Sequence, residues 1–373
     1  MKLKVAIFIE SFQLGGAEKS LLSLLRNFDS KRYDIDLIVL RKGGEFEEQL
    51  PKWVNYFGLN YKSKFLNRLK FYFLKKKSPN IHNAQLFWKS FKDIMPKQPK
   101  NYDVAIAWGQ GFATYYTSAK ITANKKYAWV NTDYEKAGYD YKLDQKSYSS
   151  FNSIIGVSDY VRSKMKDLFP QIDCKFIPNL IDREEILLKA KEDKDFSFDN
   201  EVLNIVSVGR LVKPKAFDLS IKSAALLNQK GLKFNWYIIG EGHERKYLEV
   251  LIHEYKVDNV IKLIGFKNNP YPYIYATDIY VQTSLFEGLG RTLIEASYIN
   301  KPIVTTNFPT ASSIVEHNRT GIITKMNVES ITQGIMTLVD NPELMKSFIQ
   351  NSKNLSTKNK SFVLNEIYNL IES

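Results

Sequence analysis

Short runs of β-branched residues alternate with amphipathic helical segments along most of the chain, and this alternation restricts the fold more than any other feature of the sequence. Strands that alternate with helices in this way predict parallel sheets with helices packed on their faces. The alternation occurs in two series, on either side of the highly charged stretch 181–200 (IDREEILLKAKEDKDFSFDN). The pattern therefore predicts an α/β chain with two domains, 1–180 and 201–355, and an inter-domain linker at 181–200.

The two series look alike, and each predicts a Rossmann-like domain. The strands expected in the first are Leu3–Ile9, Asp34–Leu40, Tyr102–Ala107, Lys126–Val130 and Ser153–Val157. Those expected in the second are Leu203–Val208, Phe234–Ile239, Val260–Leu263, Asp278–Gln282, Pro302–Thr305 and Gly321–Thr324. Helices are expected at Ala17–Phe28 and near 217–230, 244–256, 290–299 and 328–339.

The composition excludes several classes of protein. A length of 373 residues is too great for one ordinary core and agrees with two domains. No apolar run reaches the ~18–20 residues of a membrane-spanning helix, which excludes an integral membrane protein. The start, MKLKVAIFIESF, contains Glu10 and no small-residue cleavage site, so it predicts a strand and not a signal peptide. Cys174 is the only cysteine, which excludes a disulfide framework and favours a reducing cytoplasm.

All of the formal net charge of +13 lies in residues 1–180, because residues 181–373 carry equal numbers of basic and acidic side chains. Residues 49–92 contain ten Lys or Arg and no acid. Within them the segment 61–77, YKSKFLNRLKFYFLKKK, interleaves basic and aromatic residues, which predicts a peripheral anchor on an anionic membrane surface. A solvated basic face on an ordinary helix is the alternative. No nucleic-acid partner is expected, since the second half adds no basic track.

Two loops carry residues suited to binding an anion. Gly15 and Gly16 follow the first predicted strand, where glycines let a phosphate approach the backbone, although a plain turn would look the same. Their spacing is not GxGxxG, so a nicotinamide or flavin cofactor is not supported. Arg210 and Lys215 lie between a strand and a helix in VSVGRLVKPKAF, which suits a diphosphate, with a solvated loop as the alternative.

The stretch TSLFEGLGRTLIEAS is the most specific in the sequence. Glu287 and Glu295 lie about 12 Å apart if helical, so they cannot act together on one bond. They suit two separate hydroxylated groups of one extended ligand, with the N–H groups near Gly288 and Gly290 available to it. A surface helix with two glutamates is the less favoured alternative. No His, Asp or Glu cluster has metal-ligand spacing, and no metal is expected.

Five motifs together resemble glycosyltransferase family 4: GGAE near the N-terminus, GRL…K, GEGHER at 240–245, GF…YIYATDIYVQTS, and EGLGRTLIEAS. The resemblance extends over essentially the whole chain and is most specific in its second half. It implies the GT-B architecture, in which two Rossmann-like domains face each other across a cleft. It also implies that residues 1–180 bind the acceptor, that 201–355 bind a nucleotide sugar, and that a C-terminal helix at 356–373 packs back on the N-terminal domain.

The resemblance also assigns roles to individual positions. It implies that Arg210, Lys215 and Glu287 are catalytic, the two cations by neutralising the diphosphate leaving group. Glu295 is expected to bind the nucleotide ribose, and Glu287 the hydroxyl groups of the donor sugar. The remaining donor-binding positions are Gly16, Gly265, Phe266, Lys267, Gly288, Leu289, Gly290 and Arg291.

Three positions depart from the family pattern. Asn131 stands where a histidine is usual and is followed by Thr132 and Asp133. An asparagine cannot act as a base but can orient a sugar hydroxyl, so Asn131 and Asp133 are acceptor-side candidates. Ala216 replaces a glycine, and Arg291 replaces an apolar residue and adds a cation near the phosphates or the donor sugar.

The residues and the resemblance lead to one expected function and two alternatives. The expected function is retaining, metal-independent transfer of a hexose or N-acetylhexosamine from a UDP-linked nucleotide sugar to a growing, lipid-linked surface glycan such as a capsule. No cofactor is expected besides that donor. The enzyme would be cytoplasmic and peripheral on the inner face of the plasma membrane. The alternatives are a protein O-glycosyltransferase and a catalytically inactive, transferase-like partner subunit.

Overall fold

The computed structural model describes residues 2–13, 15–192, 197–199, 201–353 and 360–373. The chain divides into two compact units. Unit 1 comprises Met1–Ile181 with Lys358–Ser373, and unit 2 comprises Asp182–Thr357. Within the described residues each unit contains one parallel sheet, of seven strands in unit 1 and six in unit 2, so the predicted α/β class is confirmed.

Parallel strands joined by helices build unit 1. Its strands are β1 Leu3–Ile9, β2 Tyr33–Val39, β3 Asn55–Gly58, β4 Asn101–Trp108, β5 Thr122–Val130, β6 Ser153–Gly156 and β7 Asp173–Phe176. The helices between them are α1 Gly16–Asn27, α2 Phe65–Lys77, α3 Asn83–Phe91, α4 Phe112–Lys120, α5 Tyr141–Tyr148 and α6 Asp159–Leu168. The strand order is β3-β2-β1-β4-β5-β6-β7, so the winding of the sheet reverses between β1 and β4.

The burial of each strand in unit 1 follows its place in the sheet. The central strands β1 and β4 are almost wholly buried after their first residues, because helices cover both faces. The edge strands β3 and β7 alternate between exposed and half-buried residues. Neither edge strand was among those expected from the sequence, since their four residues, NYFG and DCKF, contain no β-branched run.

Aromatic rings fill much of the core of unit 1. Phe8 of β1 stacks on Tyr116 of α4 with ring centroids 4.4 Å apart. Trp108 and Trp129 stack at 4.9 Å, one from each of the neighbouring strands β4 and β5. Trp108 Nε1 donates to the carbonyl oxygen of Ala17 at 3.0 Å, which ties the first turn of α1 to the carboxyl end of β4.

Unit 2 repeats this design with a smaller sheet. Its strands are β8 Leu203–Val208, β9 Phe234–Ile239, β10 Ile261–Leu263, β11 Ile279–Gln282, β12 Ile303–Thr306 and β13 Gly321–Thr324. Its helices are α7 Arg183–Lys189, α8 Phe217–Gln229, α9 Arg245–Glu254, α10 Tyr271–Ala276, α11 Arg291–Tyr298, α12 Val328–Val339 and α13 Pro342–Lys353. The strand order is β10-β9-β8-β11-β12-β13, and the winding reverses between β8 and β11.

A chain of side-chain hydrogen bonds crosses the buried centre of the unit 2 sheet. Trp236 of β9 donates from Nε1 to Ser207 Oγ of β8 at 2.9 Å. Ser207 Oγ donates in turn to the carbonyl oxygen of Val281 in β11 at 2.6 Å. The indole nitrogen is thereby satisfied in the core, and three adjacent strands are linked.

The stretch predicted as a linker, 181–200, contains a helix. Helix α7 belongs to unit 2 and is capped by Asp182, whose Oδ1 accepts from the backbone N–H groups of Glu184 at 3.1 Å and Glu185 at 3.2 Å. Residues 193–196 and 200 of that stretch lie outside the described residues, as do residues 354–359, which include the start of the predicted C-terminal helix.

The last helix, α14 Lys360–Glu372, belongs to unit 1 although it follows unit 2 in sequence. The ring of Tyr368 stacks on that of Tyr33 with centroids 5.4 Å apart, and its hydroxyl accepts from the Asp29 N–H at 3.0 Å. Both ends of the sequence therefore build the same unit. Among the described helices none is both long and apolar enough to cross a bilayer.

Candidate functional site

The loops that follow β8 and β11 lie side by side where the winding of the unit 2 sheet reverses. The Leu285 N–H donates to the carbonyl oxygen of Pro214 at 2.8 Å. Thr283 Oγ1 bonds the carbonyl oxygens of Lys215 and Ala216, each at 3.0 Å. In open parallel sheets, ligands bind outside the carboxyl ends of the strands at such a switch point. Most of the site residues predicted in the second half lie in these two loops.

Glycines let the loop after β9 pack directly on the loop after β8. A Cβ on Gly240, whose φ is +148°, would lie 1.9 Å from the carbonyl oxygen of Gly209. A Cβ on Gly242 would lie 2.2 Å from that of Leu211. The Leu211 N–H donates to the carbonyl oxygen of Glu241 at 2.9 Å. The glycines of GEGHER are therefore required by close backbone approach, which braces the loop that carries Arg210 and Lys215.

Lys215 and Glu287 form an ion pair. Lys215 Nζ lies 2.5 Å from Glu287 Oε1, and the two side chains are only 16% and 15% exposed. The same oxygen accepts from Ser284 Oγ at 2.7 Å and from Gln282 Nε2 at 3.2 Å. Gln282 is held in turn, because its Oε1 accepts from Thr292 Oγ1 at 3.0 Å. Three donors converge on one carboxylate oxygen, so the orientation of Glu287 is fixed.

Glu295 forms a second ion pair inside unit 2. Its Oε1 accepts from Arg291 Nε, one helical turn earlier, at 2.9 Å, and from the Tyr271 hydroxyl at 3.0 Å. Burial and the Glu295 carboxylate raise the pKa of Tyr271 well above its usual value, so the phenol remains a donor. Arg291, which the sequence suggested as a cation near the phosphates or the donor sugar, is engaged by Glu295.

Helix α11 begins directly after the glycine-rich loop. Gly290 precedes the helix with a φ of +74°, and a Cβ there would lie 2.9 Å from Ile314 Cδ1. Gly288 is buried and Leu289 is half-buried. The first N–H groups of a helix have no partners within it and lie at the positive end of its dipole, so this turn favours an anion.

The other predicted donor-binding residues of unit 2 lie on neighbouring loops. Arg210 is exposed, directly beyond β8. Gly265 follows β10, has a φ of +77°, and accepts from the Gly240 N–H at 2.9 Å. Phe266 is 42% exposed, and Lys267 Nζ lies 5.8 Å from the ring centre of Tyr273. Since β10 and β8 flank β9, residues 265–267 lie on the far side of the β9 loop from Lys215.

Asn131 lies in unit 1, directly beyond β5, and is held by two contacts. Its Oδ1 accepts from Asn179 Nδ2 at 2.7 Å, and its backbone N–H donates to Gln110 Oε1 at 3.1 Å. Its Nδ2 is buried and has no hydrogen-bond partner within the part of the chain that the structure describes. This unused donor is consistent with the predicted role of Asn131 in orienting a hydroxyl.

Asp133 and Gly16 differ in how accessible they are. Asp133 is 2% exposed, and its two oxygens accept from the Tyr160 hydroxyl at 2.6 Å and the Lys136 N–H at 3.1 Å. The protein itself therefore occupies this carboxylate. Gly16 is the first residue of α1 and is exposed, but the Glu18 carboxylate lies against the preceding Gly15, where a Cβ would be 2.1 Å from Glu18 Oε2.

Sequence reasoning missed Gln282, Ser284 and Tyr271, which hold the two predicted glutamates. Gln282 could have been suspected, because it is a polar residue at the end of the buried strand IYVQ and is 4% exposed. Ser284 and Tyr271 carry no comparable signal, since serines are common in loops and tyrosines in cores.

The site in unit 2 combines two kinds of group. Cations at Arg210 and Lys215, with the start of α11, suit a multiply charged anion. The Glu287 carboxylate suits hydroxyl groups, whereas the Glu295 carboxylate is 2% exposed and is held by Arg291 and Tyr271. The described residues contain no group of three or more His, Cys, Asp or Glu that could hold a metal ion. An extended anionic ligand rich in hydroxyls fits this set.

Comparison with known proteins shows several relatives. Residues 189–355 match the family described as glycosyl transferases group 1. The N-acetylgalactosamine-N,N'-diacetylbacillosaminyl-diphospho-undecaprenol 4-alpha-N-acetylgalactosaminyltransferase of Campylobacter jejuni is 32% identical over 191 residues, covering 51% of this chain and 50% of that protein. The poly(ribitol-phosphate) alpha-N-acetylglucosaminyltransferase of Staphylococcus aureus is 25% identical over 218 residues, covering 58% and 43%. The chain thus matches about half the length of these curated relatives.

Solved structures are similar over the whole chain. The crystal structure of HepE from Anabaena in complex with UDP-glucose has a TM-score of 0.76 and 15% identity, covering 99% of both chains. The structure of TarM has a TM-score of 0.74 and 15% identity, covering 100% of this chain and 99% of that one. At such low identity this likeness shows a shared fold.

Proposed function

We propose that the chain is a retaining glycosyltransferase of surface-glycan synthesis, from the premise that residues 189–355 match the group 1 glycosyltransferases and that the chain has the GT-B fold, as its motifs predicted. The donor is a UDP-linked nucleotide sugar, and the transferred group is a hexose or N-acetylhexosamine. The acceptor is a growing, lipid-linked glycan such as a capsule polysaccharide. Support comes from the Campylobacter jejuni relative, named for a diphospho-undecaprenol acceptor, and from HepE, which binds UDP-glucose.

One observation carries the proposal: Lys215 and Glu287 lie 2.5 Å apart at the switch point of unit 2. In a nucleotide sugar the terminal phosphate is bonded directly to the anomeric carbon. A cation that binds this phosphate and a carboxylate that binds a sugar hydroxyl must therefore be close neighbours. Glu295 lies on α11, beyond the glycine-rich loop that carries Glu287, and suits the ribose at the other end of the donor.

Arg210 and Lys215 act on the leaving group in the proposed reaction. As the bond from the anomeric carbon to the phosphate oxygen breaks, negative charge grows on the diphosphate, and fixed cations stabilise that charge. The acceptor oxygen bonds the same carbon from the same face, and its proton passes to the departing phosphate. The anomeric configuration is retained without a covalent intermediate on the protein.

Helix α2 supports a membrane-bound acceptor, because it has two apolar stripes. The inner stripe faces α3, where Asn67 Nδ2 donates to the carbonyl oxygen of Ser90 at 2.7 Å and the Phe71 ring lies 6.2 Å from that of Phe87. The outer stripe is between 38% and 75% exposed and consists of Phe65, Leu66, Leu69, Tyr72 and Phe73. At roughly 100° per residue these five span about 120° of the helix, opposite the inner stripe.

Cations flank the outer stripe of α2. Helical spacing puts Arg68 and Lys75 along one edge and Lys70 and Lys77 along the other, with Lys76 inside the stripe in the last turn. An apolar stripe bordered by long basic side chains suits a helix that lies flat in the headgroup region of an anionic leaflet. The proposed location is therefore cytoplasmic and peripheral, on the inner face of the plasma membrane.

Incubation with UDP-, GDP- and dTDP-sugars tests the proposal through nucleotide release, with undecaprenyl-diphosphate-linked saccharides, a protein acceptor or no acceptor added. Release that requires both a UDP-sugar and the lipid-linked saccharide supports it. Release that requires a protein acceptor instead would identify a protein O-glycosyltransferase. Failure to bind or release any nucleotide would indicate an inactive partner subunit.

A further inference from the structure

Glu287 and the donor diphosphate compete for the same ammonium group. Glu287 Oε1 holds Lys215 Nζ at 2.5 Å, and under the proposed function Lys215 binds the phosphate next to the sugar. We propose that Glu287 is an internal competitor for Lys215, which makes the site favour the intact sugar nucleotide over the free nucleoside diphosphate and so promotes product release. This inference rests on the proposed function and adds a role in substrate discrimination to it.

The ion pair between Lys215 and Glu287 is held in place by the fold of unit 2. Its members come from different elements, since Lys215 ends the turn after β8 and Glu287 lies in the loop after β11, 72 positions later. Both side chains are mostly buried, at 16% and 15% exposure. Ser284 and Gln282 hold the carboxylate oxygen towards Lys215. An exposed ion pair would separate freely, but a desolvated pair with a fixed carboxylate resists the loss of either partner.

An intact donor replaces both lost contacts. Its terminal phosphate can take Lys215, while a sugar hydroxyl can donate to Glu287, so neither charge is left alone. A free nucleoside diphosphate supplies only the phosphate. Glu287 must then either face a second anion with only the neutral donors Ser284 and Gln282, or keep its hold on Lys215, and both outcomes weaken binding. The ion pair therefore weakens the binding of the free nucleoside diphosphate more than that of the intact sugar nucleotide.

Calorimetric titration with UDP tests this inference. Glu287→Gln keeps the size of the side chain and an oxygen for Ser284, but removes the negative charge. We expect the variant to bind UDP about tenfold more tightly than the parent, while sugar transfer falls. The matched control is Glu185→Gln on α7, which should leave UDP affinity unchanged. Glu185 also forms an ion pair, 2.6 Å from Lys189 Nζ, and the side chains of Lys189 and Glu185 are 33% and 29% exposed.

A double-mutant cycle separates competition from simple repulsion. With Lys215→Met present, Glu287→Gln should change UDP affinity by no more than about twofold, because there is no cation left to release. A gain of about tenfold in UDP affinity in the Lys215→Met background would show that Glu287 merely repels the diphosphate, and would overturn the inference. Thermal unfolding identifies variants that fail to fold, and Glu287→Ala then replaces Glu287→Gln.

The remaining outcomes separate this inference from the proposed function. Unchanged or weaker UDP binding by both folded Glu287 variants would overturn the competition and leave the donor site standing. Failure of the parent protein to bind UDP, GDP or dTDP would overturn the proposed function, and the competition with it.

Discussion

Arg210 and Lys215 carry the same charge, but the protein holds them differently, since Arg210 is exposed and Lys215 is paired. Replacing either with Ala should lower turnover roughly 10- to 100-fold, because a charge-assisted hydrogen bond to the leaving group contributes ~1.5–3 kcal/mol. Steady-state nucleotide release measures the loss. Lys213→Ala, an exposed lysine in the same turn, is the control. Near-parental turnover in both variants would contradict the assignment of Arg210 and Lys215 to the donor diphosphate.

Ala216 has a backbone conformation that suits glycine, with φ +47° and ψ +48°. This left-handed region costs an L residue about 1–2 kcal/mol, whereas glycine adopts it at an entropic cost of about 0.5–1 kcal/mol. Ala216→Gly should therefore raise the free energy of unfolding by about 0.5–1 kcal/mol in urea denaturation. Ala225→Gly, within the following helix α8, should lower it by about 1 kcal/mol or more. Equal destabilisation by both would contradict the prediction.

At the scale of elements, the outer stripe of α2 and its flanking cations should contribute separately to membrane binding. We expect the protein to bind anionic vesicles, with an affinity that falls as salt rises, because each basic residue near the surface contributes ~1 kcal/mol. Serine at Lys70, Lys75, Lys76 and Lys77 should weaken binding at low salt, whereas serine at Phe65 and Phe73 should weaken the part that salt does not remove. Co-sedimentation measures both.

Two controls define the vesicle experiment. Neutral phosphatidylcholine vesicles should bind the parent protein much more weakly than anionic ones. The lysine variant should retain donor hydrolysis in solution, because α2 contains none of the predicted donor-site residues. If the parent ignores anionic vesicles at low salt, α2 is a solvated basic helix and a soluble or protein acceptor becomes the better hypothesis.

Helix α5 carries a buried carboxyl, Asp144, which is 2% exposed and accepts hydrogen bonds from Tyr115, Tyr134 and Gln85. Burial raises the pKa of Asp144, and the three hydrogen bonds offset this only in part. The folded state therefore binds this proton more tightly than the unfolded chain. The contribution of Asp144 to the free energy of unfolding is greatest at low pH and falls as pH rises from the usual aspartate pKa to the raised one.

Asp144→Asn tests the direction of this pH dependence, because an amide does not ionise in this pH range. The free energy of unfolding of the variant minus that of the parent should increase as pH rises above the usual aspartate pKa of about 4, and should level off above the raised pKa of Asp144. Urea denaturation at several pH values measures it. A difference that stays constant across this range would contradict the prediction.

At the scale of the whole molecule, a residue near the C-terminus should control the stability of the N-terminal sheet. Tyr368→Ala removes the stacking on Tyr33, an edge contact with Phe28 at 5.2 Å and the acceptor for the Asp29 N–H. We expect a loss of about 2–4 kcal/mol in urea denaturation, with faster hydrogen exchange in β2. Asn365→Ala, exposed on the same helix, should change stability by less than about 0.5 kcal/mol. Similar effects of the two variants would contradict this.

Much of this architecture could be predicted, because central parallel strands are continuous apolar runs. The expected bounds of β1, β8, β9 and β13 are those found. The edge strands β3 and β7 could not be predicted, since half of their residues face solvent and the neighbouring strand, not composition, selects them.

The residues of the site could be predicted from the sequence, but the ion pairs between them could not. Motifs identified Lys215, Glu287, Arg291 and Glu295 as functional candidates. Which cation meets which carboxylate depends on loop conformation and on contacts between residues as far as 72 positions apart, as for Lys215 and Glu287. The role of Gln282 depends on how the loop after β11 folds back, because its partners Glu287 and Thr292 lie 5 and 10 positions later.

The split of unit 1 between the two ends of the sequence has a consequence on the ribosome. Residues 182–357 form unit 2 without interruption, so that unit can complete its fold as it emerges. The sheet of unit 1 must wait for α14, which is made after the whole of unit 2, a delay of about 10–35 s at ~5–20 residues per second. Throughout that delay the surface around Phe28 and Tyr33 remains uncovered. Nascent chains are therefore most accessible to chaperones and proteases at their first sheet. A premature stop codon near the end of the gene would destabilise the unit that was made first.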